Sequence, residues 1–171
     1  MEKSYYVRLY DHGTSRNDIF QYMNVNWEKS TVEVELARAE ASTEGQTVKE
    51  GTMERFGQLN QGDVVFVGIR GGRANPPRLL FIVEVETSPE FVTYKDGEKQ
   101  VQETRAKGNI LKAYVTPEGE YTEDEENWQF LKSSYMVRPT SFSVIEKEDM
   151  VKQVRVKLQE VLRDHKFRDK N

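Results

Sequence analysis

Two apolar runs, "VVFVGI" (Val64–Ile69) and "LLFIVEV" (Leu79–Val85), constrain the fold more than any other stretch of the chain. Neither alternates with polar residues as a half-buried strand does, so both are expected to be covered on both faces. The connection between them, "RGGRANPPR", holds three arginines, two glycines, two prolines and no acid. An ordinary hairpin closes in about two to five residues, and longer connections in compact domains are mostly functional or disordered. Arg70, Arg73 and Arg78 are therefore candidates for phosphate binding, because the rigid guanidinium fork suits a phosphate or the edge of guanine. The plainer reading is a solvated loop that keeps a sheet edge soluble.

Charge limits what those arginines can do. The 171 residues carry a formal net charge of −4, so a broad basic face coating nucleic acid is excluded and any phosphate contact must be local. With 36% hydrophobic and 11% aromatic residues the chain is polar but foldable. The absence of cysteine excludes disulfides and thiolate metal sites. His12 and His165 lie far apart in sequence, so neither a metal site nor a cofactor is expected. No run approaches the roughly 18 apolar residues of a membrane span, and "MEKSYYVRLY" lacks the apolar core of a signal peptide. A cytoplasmic protein without a membrane partner is the expectation. No nucleophile elbow and no phosphate-loop lysine occur, so an enzyme is not expected.

Periodicity places the elements. "YYVRLY" (Tyr5–Tyr10) is β-prone, and "STVEVELA" alternates Val32, Val34 and Leu36 with Glu33 and Glu35 as a half-buried strand does. "TSRNDIFQYM" predicts a helix capped by Ser15, with Ile19, Phe20, Tyr22 and Met23 on its apolar face. "TVKEGTMERFGQL" predicts a second, with Thr47 and Glu50 as a capping box. "FVTYKDGEKQVQE" reads as a hairpin turning at Asp96-Gly97, followed by a separate strand in "NILKAYVT" and a short one in "SFSVI". "EKEDMVKQVRVKLQEVLRDHKF" predicts a closing helix, with acids first, bases last and a stripe of Met150, Val151, Val154, Leu158, Val161 and Leu162. About six or seven strands and three helices without regular alternation argue against a doubly wound parallel sheet. The expected fold class is α+β: a small mixed or antiparallel β-barrel with about three flanking helices. One domain over 1–163 is expected, with a hairpin insertion near 91–103, an acidic loop at 117–126 and a flexible tail at 164–171.

The order strand, helix, strand, helix, "LNQGDVVFVGI", long loop, "LLFIVEVETSP" and a closing "RPTSFSVI" before a helix resembles the PUA-like superfamily, nearest to its EVE, YTH and ASCH-type modules. Gly62-Asp63 and Arg138-Pro139 carry the likeness, which covers most of the chain outside the 91–103 hairpin and the acidic loop. The chain departs from the family pattern at Leu79-Leu80-Phe81, where a glycine is usual. The resemblance implies a PUA-like barrel that reads a nucleic-acid base, modified or not, in DNA or RNA. It also implies service as the specificity part of a restriction, defence or processing system.

Under that resemblance "QYMNVNWEK" follows the first helix and lines the pocket, which makes Tyr22, Asn24, Asn26 and Trp27 base-binding candidates. Rings stack on bases and amides read their edges. The competing reading makes Trp27 a core residue and gives the asparagines turn bonds. Trp128 could supply the opposite wall with Tyr135 nearby, while Phe130 fits core packing better. The run "EGEYTEDEEN" concentrates six carboxylates (Glu118, Glu120, Glu123, Asp124, Glu125 and Glu126) without a base. Such a run is usually a solvated face, but it supports an alternative: a protein-interaction or inhibitor protein that engages a protein partner through its acidic loop and binds no nucleic acid.

Overall fold

The computed structural model describes residues 3–10, 19–20, 23–41, 59–69, 78–97, 99–122 and 142–169. Among them the elements run β1 (Tyr5–Tyr10), β2 (Met23–Asn26), β3 (Thr31–Ala41), β4 (Val64–Ile69), β5 (Arg78–Val85), β6 (Glu90–Asp96), β7 (Lys99–Ala113), β8 (Phe142–Val144) and α1 (Glu148–Asp169). All eight strands belong to one mixed sheet ordered β2-β3-β7-β5-β4-β1-β8, with β6 paired to β7 beside this path.

The two apolar runs are neighbours at its centre. β4 and β5 pair antiparallel, from Val64 opposite Glu84 to Ile69 opposite Arg78. The other edge of β4 takes β1 in parallel, Tyr5 beside Val64 through Tyr10 beside Ile69. Successive residues of these strands enter two different cores, as strand alternation requires. Tyr6, Tyr10, Val65, Val67, Ile69, Phe81 and Val83 meet Val32, Val34 and Leu36 of β3 in an inner core. Tyr5, Val7, Leu9, Val64, Phe66 and Ile82 meet Val154, Leu158 and Val161 of α1 in an outer one. The expected burial of β4 and β5 on both faces is thus found, and its cause is the helix on one side and the sheet's own curl on the other. Fully burying a Val, Leu or Ile contributes about 1.5–3 kcal/mol, so these strands supply much of the fold's driving force.

The expected barrel is corrected here. The sheet is open: β2 and β8 end its path, and among the described residues no strand pairs β1 with β3. β2 covers β3 only from Thr31 to Val34. At the next residue the main-chain oxygen of Glu35 accepts Arg8 Nε at 3.0 Å and also the Tyr10 hydroxyl. β3 bulges between Glu35 and Ala37, which breaks the regular row of groups a neighbouring strand would need. Side chains of β1 therefore bridge to β3 where a closed barrel would have a ladder.

The expectation of about three flanking helices is also corrected: α1 is the helix found among the described residues. Met23, read as the end of a first helix, instead opens β2. The remainder of that expected helix lies mostly, and the one at 47–59 almost wholly, outside the described residues. Helix α1 opens with Glu148 and Asp149 and buries Val154, Leu158 and Val161, with Met150, Val151 and Leu162 partly covered, as its sequence predicts. It runs on through Asp169, across residues read from the sequence as a flexible tail.

The hairpin near 91–103 exists, but one arm is much longer than predicted. β7 is a continuous 15-residue strand that absorbs the separate strand expected in "NILKAYVT". One of its edges pairs with β3, and the other pairs first with β6 and then with β5. Asp96 pairs with Lys99, so the turn is centred one residue later than Asp96-Gly97, and Gly97 takes its positive φ of 66°.

Candidate functional site

Register brings a set of inner-face residues to one end of the curled sheet. Arg8 stands beside Val67, Val67 opposite Phe81, and Phe81 opposite Ala113. One row further, Tyr10 stands beside Ile69 and Ile69 opposite Arg78.

Trp27 reaches this end from the turn between β2 and β3. That turn is closed by Asn26 opposite Thr31 and by a hydrogen bond from the Lys29 amide to Asn26 Oδ1 at 3.1 Å. Ser30 takes φ 54°, and its carbonyl accepts Ile110 N at 2.8 Å, which ties the turn to β7. Trp27 is half-buried. Its ring meets Phe20 edge-on with centroids 6.0 Å apart, and leans on the fully buried Phe81 at 5.7 Å. Both are favourable ring geometries.

Cations lie on rings at the same end. The Arg78 guanidinium carbon lies 3.6 Å from the ring centroid of Tyr121, and that of Arg8 lies 4.2 Å from the centroid of Tyr10. Arg8 is buried, and besides Glu35 it donates from Nη1 to the Leu9 carbonyl at 2.9 Å. Tyr121 is held by a bridge to Val115 and by the turn between them, where Thr116 N donates to Glu120 O and Gly119 N to Thr116 O. Glu118 and Glu120 are exposed on that turn.

Among the sequence-predicted residues, Trp27 and Arg78 come to this end of the sheet. Asn24 and Asn26 do not join them on the inner face. Both are exposed, on the opposite side of β2 from Met23 and Val25, which pack on the inner core as Trp27 does. Asn26 makes the turn bond that its residue type favours. Tyr22, Trp128, Arg70 and Arg73 lie outside the described residues, as do Phe130, Tyr135 and the acids from Glu123 to Glu126. Sequence reasoning did not assign Phe81, Phe20, Tyr121 or Arg8 to the site. Period-two phase could have found Arg8, since Tyr6, Arg8 and Tyr10 share one face of β1.

Two other polar clusters are structural. Asp63 accepts from the amides of Ser4 at 3.0 Å and Asn60 at 2.9 Å, so the Gly62-Asp63 pair ties the start of β1 to the turn before β4. Burial, with the Asp63 charge second, raises the pKa of the Tyr6 phenol above its ordinary value, and a bond with Ser4 opposes this. On the hairpin, buried Glu103 accepts from the Tyr94 hydroxyl and from Arg105 Nε at 2.7 Å, while Arg105 also reaches Glu33 on β3 at 3.3 Å. The hydrogen bond to Glu103 is the main cause of the raised Arg105 pKa. Among the described residues no group of three or more His, Asp or Glu side chains could hold a metal ion. No helix among them is long and apolar enough to cross a membrane.

No protein-family model matches the chain, and no curated protein sequence matches it significantly.

Proposed function

We propose that the protein is a binding module for a nucleic-acid base, modified or not, which packs at the Trp27–Phe81 end of the sheet. The observation that carries this reading is the half-buried Trp27 ring, braced edge-on by Phe20 and tilted on Phe81. A ring fixed in this way loses little freedom when it stacks on a second flat surface, and such stacking contributes about 1–3 kcal/mol per base. Arg78, whose own strand carries Phe81, supplies positive charge at the same end. The net charge of −4 fits a small footprint rather than a long groove along a strand.

The test uses the two tryptophans of the chain. In a Trp128→Phe background, Trp27 is the sole indole, and nucleosides and short single-stranded oligonucleotides should quench its emission saturably. An emission spectrum that ignores every nucleoside and oligonucleotide would sink the proposal.

A further inference from the structure

Arg78 is held in place by its strand and by a ring. It begins β5 opposite Ile69, next to a register shift between Val67 and Gly68. Gly68 permits this close approach, because a Cβ there would lie 2.6 Å from the Arg78 main-chain oxygen. The guanidinium then lies over Tyr121, with 3.6 Å from its central carbon to the ring centroid. Tyr121 is anchored in turn through its bridge to Val115 and the hydrogen bond from Thr122 N to Tyr114 O at 3.1 Å. A guanidinium held against a ring has little freedom left to lose, and because the Arg78 Nε is buried, a two-oxygen acceptor would meet it through its Nη groups.

We infer that Tyr121 is a positioning residue for Arg78, and that the pair receives one phosphate of the nucleotide whose base packs at Trp27. The inference rests on the base-binding reading above and adds the ligand's charge and its point of contact. Charge sets the number. The chain is acidic at −4, and Glu118 and Glu120 stand exposed on the turn that delivers Tyr121. A row of phosphates running past that turn would be repelled, whereas a single phosphate at Arg78 is attracted.

The experiment is calorimetric titration of the full chain with adenosine and cytidine, with their 5′-monophosphates, and with single-stranded trinucleotides of the same bases. The readout is the ratio of nucleotide to nucleoside affinity, which a merely structural role for Tyr121 would not move. The phosphate should raise parental affinity about tenfold to a hundredfold, as a charge-assisted contact does. Arg78→Gln should abolish this gain. Arg78→Lys and Tyr121→Leu should reduce it severalfold, Tyr121→Phe should keep it, and the distant Val156→Ala serves as a control. If Tyr121→Leu does not fold, Arg78→Lys still decides, because it keeps the charge and loses the planar fork. The trinucleotides should bind within a few fold of the monophosphates, and a further gain beyond tenfold overturns the single-phosphate inference. If nucleosides bind but the ratio is the same in Arg78→Gln, the inference fails and the base-binding reading stands. If no nucleoside binds, both fail.

Discussion

Arg8 on β1 donates its Nε to the main-chain oxygen of Glu35 on β3, 3.0 Å away, where strand pairing does not close the curled sheet. The Tyr10 hydroxyl donates to the same oxygen, and the Arg8 guanidinium lies against the Tyr10 ring. These contacts substitute for a ladder, and they should behave as a unit. Tyr10→Phe should cost about 0.5–1.5 kcal/mol, and Arg8→Met about 1.5–3 kcal/mol because its bonds are charge-assisted. The double variant should lose less than the sum, since both donors share one acceptor. Urea unfolding checks this. An Arg8→Met midpoint equal to that of the parent would show that the bridge contributes nothing to stability.

Helix α1 offers an internal comparison. Leu158 is buried under the sheet and Val156 is 59% exposed, although the two are only two residues apart. Leu158→Ala should cost about 2–5 kcal/mol through lost burial and the cavity left behind. Val156→Ala should fall within about 0.5 kcal/mol of the parent. Thermal melting separates the two, and equal melting temperatures would mean that the helix is not docked as described.

Tyr6 makes a prediction about alkaline pH. Its folded-state phenol pKa lies above the ordinary 10.0, chiefly through burial. The folded protein therefore holds this proton more tightly than the unfolded chain does. The associated stability is complete below about pH 10 and is lost as pH rises through the folded value, with a limiting slope of about 1.4 kcal/mol per pH unit for one proton. Tyr6→Phe removes that proton and should flatten the stability curve above pH 10, measured by urea unfolding at a series of alkaline pH values. An alkaline limb as steep in Tyr6→Phe as in the parent would exclude this role.

What the sequence made legible follows from where the physical signal is local. β4 and β5 were readable as continuous apolar runs, β1 by its β-prone residues and the stripe of α1 by its helical period, all signals carried by residues close together in sequence. β2 was hidden, although Met23 and Val25 alternate with Asn24 and Asn26, because the same Met23 also continues a helical stripe from Ile19. β7 was read as two pieces, one ending at Glu103 and one beginning at Asn109, with Gly108 in the gap between them. That glycine instead lets β5 approach, since a Cβ there would be driven into the main-chain oxygen of Glu84. That the sheet stays open, with side chains of β1 bridging to β3, was not legible, because it turns on which donors reach the Glu35 carbonyl, a contact between strands far apart in sequence. The site shows the same division. Trp27 and Arg78 stand out by residue type, whereas Phe81 and Tyr121 become relevant only through register and fold.

The decisive measurement is the affinity of Trp27→Phe and Trp27→Ala for the nucleosides, beside a melting curve for each variant. Phe20 and Phe81 brace the ring at 6.0 and 5.7 Å, so a phenyl ring can occupy the same place and keep a stacking face. A base packed on this ring predicts that Trp27→Phe binds with only a modest loss. Folded Trp27→Ala should then lose about 1–3 kcal/mol for every base alike, because each base offers the same kind of flat surface. A folded Trp27→Ala that binds nucleosides as tightly as the parent would contradict base recognition at this end of the sheet.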